Sequence, residues 1–192
     1  MLSQAVRQQK RFVETMPPHS SHAQLYSGQG IVLTGGGRYL TQTWVALNLL
    51  RAVNCSLPVE LWIINGEEPP AALLPHLERL DVTVRHLDEI LDRLGDSLAN
   101  RVRGYAIKVF TILFSSFETV LYLDADNIPV RDPADLLSAA QVRQQGVLFW
   151  HDLWPVTVSQ ATYRRPRESK RIVTARKSCN LLTCHRYFYV VS

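Results

Sequence analysis

Apolar residues along this chain fall into short continuous runs, separated by longer stretches in which they recur every third or fourth position. The run GIVLT, residues 30–34, is rich in β-branched and aliphatic side chains and is closed by three glycines at 35–37, which predicts a buried strand entering a tight loop. RYLTQTWVALNLLRAVN, 38–54, has helical spacing, with Leu40, Trp44, Leu47 and Arg51 near one face. After Leu57-Pro58 the chain restarts as VELWIING, 59–66, a second strand ending in glycine. PPAALLPHLERL, 69–80, reads as a short helix, VTVRHL, 82–87, as a third strand, and DEILDRLGDSL, 88–98, as a helix. GYAIKVFTILFSSF, 104–117, is helical with Ile107, Phe110, Phe114 and Phe117 on its apolar face. TVLYL, 119–123, is a fourth strand. DPADLLSAA, 132–140, starts a helix with Asp132 as N-cap and Pro133 at the first helical position. GVLFWHDLW, 146–154, is a fifth strand or extended segment. Alternating strands and helices, with strands apolar throughout, predict an α/β fold with a mostly parallel sheet. Residues 1–29 are polar and aperiodic, and Met16-Pro17-Pro18-His19-Ser20-Ser21 reads as a linker.

Composition narrows this picture. Hydrophobic residues make up 46% of the 192, enough for a core and too many for disorder. No apolar run reaches the roughly 18 residues a bilayer span needs, so no transmembrane segment is expected in this chain, and the N-terminus lacks a signal-peptide core. Three cysteines, Cys55, Cys179 and Cys184, form no CxxC pair and suggest neither a disulfide framework nor a zinc site. The sequon Asn54-Cys55-Ser56 would accept a glycan only in a lumenal chain. The net charge of +4 is unevenly placed. Residues 1–154 carry 13 Lys and Arg against 16 Asp and Glu, whereas 155–192 carry 8 basic residues against Glu168 alone. A basic patch can meet nucleic acid or membrane, but its confinement to one stretch argues for a different origin, and no nucleic-acid partner is expected.

In parallel α/β sheets ligands bind beyond the carboxyl ends of the strands. Two features fall there: the glycines after the first strand, and Asp124 and Asp126 after the fourth. Two carboxylates around a turn can hold Mg²⁺ or Mn²⁺, which take one or two carboxylates plus substrate phosphates. Asn127 would add an amide oxygen or orient a carboxylate. The same DADNI also approaches the pattern of aspartate-nucleophile phosphatases, with Asp124 attacking phosphorus and Asp126 as acid and base. That motif normally sits on a first strand, and here three strand–helix units precede it. An EF-hand loop fails, because Ile128 and Pro129 occupy positions that need an oxygen ligand and glycine. A strand-end pair that caps the following turn accounts for an isolated DxD at least as well. TGGGRYL lacks the Lys-Ser/Thr of a phosphate loop, so its glycines serve either close approach to a ligand or a plain turn. Lys108 either snorkels from its apolar helix or points over the strand ends at a phosphate. His151 with Asp152 either faces the site or forms a strand-end pair, and His76 and His86 read as residues without chemistry.

The blocks GIVLTGGGRYLTQTWVALNLLR, LPVELWIINGEE, GYAIKVFTILFSSFETVLYLDADNIPVRDPADLL and GVLFWHDLW, taken in order, resemble the fungal Golgi α-mannosyltransferases of glycosyltransferase family 71. Those enzymes extend mannan chains on N-glycans, and some act on O-glycans. The resemblance covers roughly residues 28–154. It implies a GT-A nucleotide-sugar-binding domain, the donor GDP-mannose, the metal Mn²⁺ (or Mg²⁺), a mannosylated glycoprotein acceptor, an α linkage formed with retention, and a lumenal place at the Golgi membrane. Carried over residue by residue, Asp126 coordinates the metal and Asp124 contacts metal or ribose. Thr34, Gly35, Gly36 and Gly37 match the loop that approaches the nucleotide. Lys108 matches a lysine placed for the diphosphate, and Trp150, His151 and Asp152 match a block that lines the donor sugar. No residue is assigned as catalytic.

Measured against that family, no N-terminal membrane anchor is expected in this sequence, and the family pattern is expected to stop after Trp154, where the charge changes sign. The organisation expected is therefore a linker or stem remnant at 1–27, a partial donor-binding domain at 28–154, and a poorly ordered non-family basic tail at 155–192. Such a truncated domain, active or inactive, is expected to expose apolar surface where further sequence packs.

Overall fold

The computed structural model of the chain describes residues 4, 7–8, 11, 14–15, 23–64, 66–95, 102–149 and 189–191. Its strands are β1 (Gln29–Thr34), β2 (Val59–Ile63), β3 (Val82–His86), β4 (Thr119–Asp124), β5 (Val147–Phe149) and β6 (Tyr189–Val191). Its α-helices from residue 40 onward are α1 (Leu40–Ala52), α2 (Leu74–Arg79), α3 (Leu87–Leu94), α4 (Ala106–Phe114), α5 (Ala134–Leu137) and α6 (Ala140–Gln145). The strands form one sheet in the order β3-β2-β1-β4-β6-β5. β1 pairs in parallel with both β2 and β4, and β2 with β3, while β6 runs antiparallel between β4 and β5. The α/β fold with a mostly parallel sheet is therefore as the alternating pattern predicts. β6 lies in the stretch read as a basic tail, so these three residues belong to the sheet.

Every residue of β2 and β4 is buried, which is why both read as largely apolar runs, interrupted in β2 by Glu60. Successive side chains leave a strand on opposite faces. Ile31, Leu33, Leu121 and Leu123 thus meet Ala46, Leu47 and Leu50 of α1 on one face. On the other, Val32, Val120 and Tyr122 meet Ile107, Phe110 and Phe114, the apolar face predicted for α4, and Phe117, which lies beyond the helix because α4 ends at Phe114 and not at the predicted 117. Glu60 is the buried exception on that second face, and it is satisfied. Trp62 Nε1 donates to its Oε2 at 3.0 Å, and Ser116 donates to Oε1 from its hydroxyl at 2.7 Å and its amide at 3.2 Å.

The buried stripe of α1 is Thr43, Ala46, Leu47 and Leu50, rotated from the predicted one. Trp44 is only partly buried, and the Arg51 guanidinium turns to backbone, donating to the carbonyls of Leu80 and Cys55. The rotation follows from Thr43, whose hydroxyl is buried because it donates to the Gly35 carbonyl at 2.9 Å. α1 ends in a Schellman motif. Asn54 takes φ 62°, its amide donates to Arg51 O, and the Cys55 amide donates to Leu50 O. The helix after β4 starts later than predicted. Pro133 is its N-cap residue, and Asp132 just outside accepts a hydrogen bond from the Ala134 amide at 2.9 Å. Tyr105, Val109 and Leu113 lie four residues apart beside and along α4, and all three are exposed.

Candidate active site at the strand ends

Connections from β1 lead to β2 on one side, while β4 flanks β1 on the other, so the strand order reverses between β1 and β4. Thr34, the last residue of β1, is the register partner of Asp124, the last residue of β4. The glycine loop and the carboxylate loop consequently leave the sheet side by side, at the crevice where open α/β sheets bind ligands.

The glycines are held by protein. A Cβ on Gly35 would lie 2.0 Å from Thr43 Oγ1, and one on Gly36 would lie 2.3 Å from the Glu67 carbonyl oxygen. The Gly35 amide donates to Trp62 O at 3.3 Å and the Gly37 amide to Glu67 O at 3.1 Å. Gly37 has φ +49°, a left-handed turn that glycine adopts at little cost. Close packing against α1 and the loop after β2 therefore explains this triplet.

Lys108 does not snorkel to solvent. Its ammonium forms an ion pair with Asp124 Oδ1, with the two side chains 18% and 10% exposed. The Nζ also sits 5.5 Å from the Tyr122 ring centroid and 5.7 Å from that of Tyr105, within cation–π range. Tyr122 is fixed in turn by a 2.6 Å hydrogen bond between its hydroxyl and Thr34 Oγ1. Asp124 Oδ2 and Asn127 Nδ2 are buried with no protein hydrogen-bond partner. The Asn127 amide donates to the Asp124 carbonyl at 3.0 Å, which closes the turn between the carboxylates. Buried polar atoms left unmatched are costly, and they cluster where a ligand supplies the missing partner.

Asp126 is exposed and borders a cleft of about 450 Å³. Its walls are Arg38 just before α1, Thr41, Gln42, Val45 and Ala46 from the start of α1, and Ala125, Asp126, Asn127 and Ile128 from the carboxylate loop. The structure thus brings together Thr34, Lys108 and Asp124, with Asp126 on the turn after Asp124 and bordering the cleft, whereas Trp150, His151 and Asp152 lie outside the described residues. Sequence reasoning missed Tyr122 and Arg38. Tyr122 was legible as the one polar-tipped residue in VLYL, two positions before Asp124 and so on the same face; Arg38 follows the glycines directly.

The oxygen donors suit a hard cation. Asp124 offers an orphaned carboxylate oxygen and Asp126 an accessible one, but no group of three or more His, Cys, Asp or Glu able to hold a metal occurs among the described residues. A site with two carboxylates fits a cation whose other ligands come from phosphates and water.

Residues 28–179 match the family described as "Mannosyltransferase putative", 25 residues past Trp154. The chain is 34% identical over 167 residues to alpha-1,2-mannosyltransferase MNN21 of Candida albicans, covering 83% of this chain and 25% of that protein. It is 29% identical over 156 residues to alpha-1,2-mannosyltransferase MNN2 of Saccharomyces cerevisiae, covering 80% and 26%. Among solved structures it is similar to the glycosyltransferase GlyE of Streptococcus pneumoniae, with TM-score 0.49 and 15% identity, over 86% of this chain and 34% of that one. The chain spans about a quarter of the length of these two curated relatives. With the family match over residues 28–179 and 34% identity to the Candida enzyme, the chain belongs to the mannosyltransferase family.

Proposed function

We propose that this chain carries the donor-binding part of a GT-A mannosyltransferase. It binds GDP-mannose with Mn²⁺ or Mg²⁺, and the enzyme transfers mannose with retention to an α-mannoside on a glycoprotein, in the Golgi lumen. The observation that carries the reading is the Lys108–Asp124 ion pair beside an orphaned carboxylate oxygen, at the crevice where the strand order reverses. Family membership supports the sugar, and the named relatives are alpha-1,2-mannosyltransferases. The phosphatase alternative has no comparable support.

When bound, the divalent cation neutralises charge on the diphosphate leaving group. Asp126 and Asp124 would hold it. Lys108 places a positive charge over the strand ends, where the diphosphate departs. The Thr34–Gly37 loop, pinned by Thr43 and Glu67, forms the rigid wall against which the nucleotide lies. Arg38 and Gln42 add polar groups on the side of the cleft facing Asp126. Trp150, His151 and Asp152 complete the donor-sugar pocket in this reading, and the donor domain occupies 28–154 together with β6, which pairs with β4 and β5. Among the described residues no helix is long and apolar enough to cross a membrane.

Donor choice tests the proposal. In calorimetric titrations with Mn²⁺ present, GDP-mannose is expected to bind at least about tenfold tighter than UDP-glucose, a gap of roughly 1.4 kcal/mol. Equal binding of the two, or none of either, contradicts it.

A further inference from the structure

Lys108 and a divalent cation make opposite demands on Asp124. The ammonium is already paired with Oδ1, in a site where both side chains are largely buried. A second positive charge brought to the same carboxylate meets repulsion that the low-dielectric surroundings do not screen. Lys108 cannot relax outward without cost, because its ammonium also lies near the rings of Tyr105 and Tyr122, and Tyr122 is locked to Thr34. The carboxylate is nevertheless incomplete, since Oδ2 is buried without a partner. A single anion that is neutralised on one oxygen and orphaned on the other suits a shared role.

We propose that Lys108 is a charge switch: it pairs with Asp124 when the site is empty and turns to the diphosphate when nucleotide arrives, so that cation and nucleoside diphosphate bind cooperatively and the cation alone binds weakly. Thr34 and Tyr122 are positioning residues in this scheme, because the Tyr122 ring sets the height at which the ammonium sits over the strand ends. The coupling is reciprocal by linkage: whatever factor the diphosphate adds to cation affinity, the cation adds to diphosphate affinity. This inference rests on the metal–diphosphate reading of the site.

Mn²⁺ binding followed by electron paramagnetic resonance tests it without any measurement of activity. In the wild-type chain, GDP is expected to tighten Mn²⁺ binding within the 5- to 150-fold range, roughly, that is usual for coupled sites. In Lys108→Met, Mn²⁺ alone is expected to bind several-fold tighter than in wild type, and the further gain on adding GDP is expected to shrink. Lys108→Gln, which keeps a polar tip, is a second variant with the same expectation, and circular dichroism checks that each variant folds. Unchanged Mn²⁺ affinity without nucleotide in a folded Lys108 variant, with wild-type binding of Mn²⁺ and GDP intact, overturns the switch alone. Failure of the wild-type chain to bind Mn²⁺ with GDP overturns the site reading beneath it, and the switch with it.

Discussion

Gly35 and Cys55 show how single positions constrain this molecule. A methyl group on Gly35 would overlap Thr43 Oγ1, so Gly35→Ala is expected to destabilise the chain by on the order of 1–3 kcal/mol in urea unfolding. Adding Thr43→Ala removes the overlapping oxygen. The double variant should then lose less than the sum of the two single losses, with a coupling of about 0.5–3 kcal/mol. Strict additivity would show that the glycine is there for another reason. Cys55 is buried behind α1, and burial pushes its thiol up to about 11. The nearby Asp132 carboxylate adds to the rise, while the Leu57 backbone hydrogen bond opposes it. The unfolded thiol, with an ordinary value of 9.0, ionises first. Stability from this group is therefore complete below about pH 9 and is lost as pH rises toward about 11. Cys55→Ala should flatten that part of the stability–pH curve, and an unchanged fall would assign it elsewhere.

At the scale of elements, strands were the most legible, because burial on both faces leaves an unbroken apolar run with only one structural reading. Helices were legible in kind but less so in phase. Thr43 looks like a solvent-facing residue in TQTWVAL, and only the carbonyl it serves in the glycine loop makes its burial favourable. The α1 stripe can be checked directly. Leu50→Ala is expected to cost about 2–5 kcal/mol, as for other fully buried leucines. Ala52→Lys on the exposed side of the same helix should change stability by no more than about 0.5 kcal/mol. Similar losses from both would place the stripe wrongly. The buried Glu60 was illegible as a structural residue. Its partner Trp62 is two residues along the same strand, but its other partner, Ser116, is 56 residues away, and no local pattern announces that they meet.

For the whole molecule, the sheet order decides what the motifs mean. A DxD after an apolar strand is compatible with a metal site, a nucleophile or a turn cap. Asp124, beside Thr34, paired with Lys108 and across the turn from Asp126, is the arrangement on which the proposed metal site rests, and it depends on pairing between strands some 90 residues apart. The glycine triplet is packed against Thr43 and Glu67, which fixes the loop that lines the proposed nucleotide site. In the proposed function the ends of β1 and β4 form a metal-dependent nucleoside-diphosphate site. Calorimetric titration of GDP into the chain with and without Mn²⁺, repeated on Asp126→Ala, tests it most directly. Binding that requires Mn²⁺ and falls at least about tenfold in Asp126→Ala is the result predicted; binding indifferent to Mn²⁺, or unchanged in that variant, would contradict it.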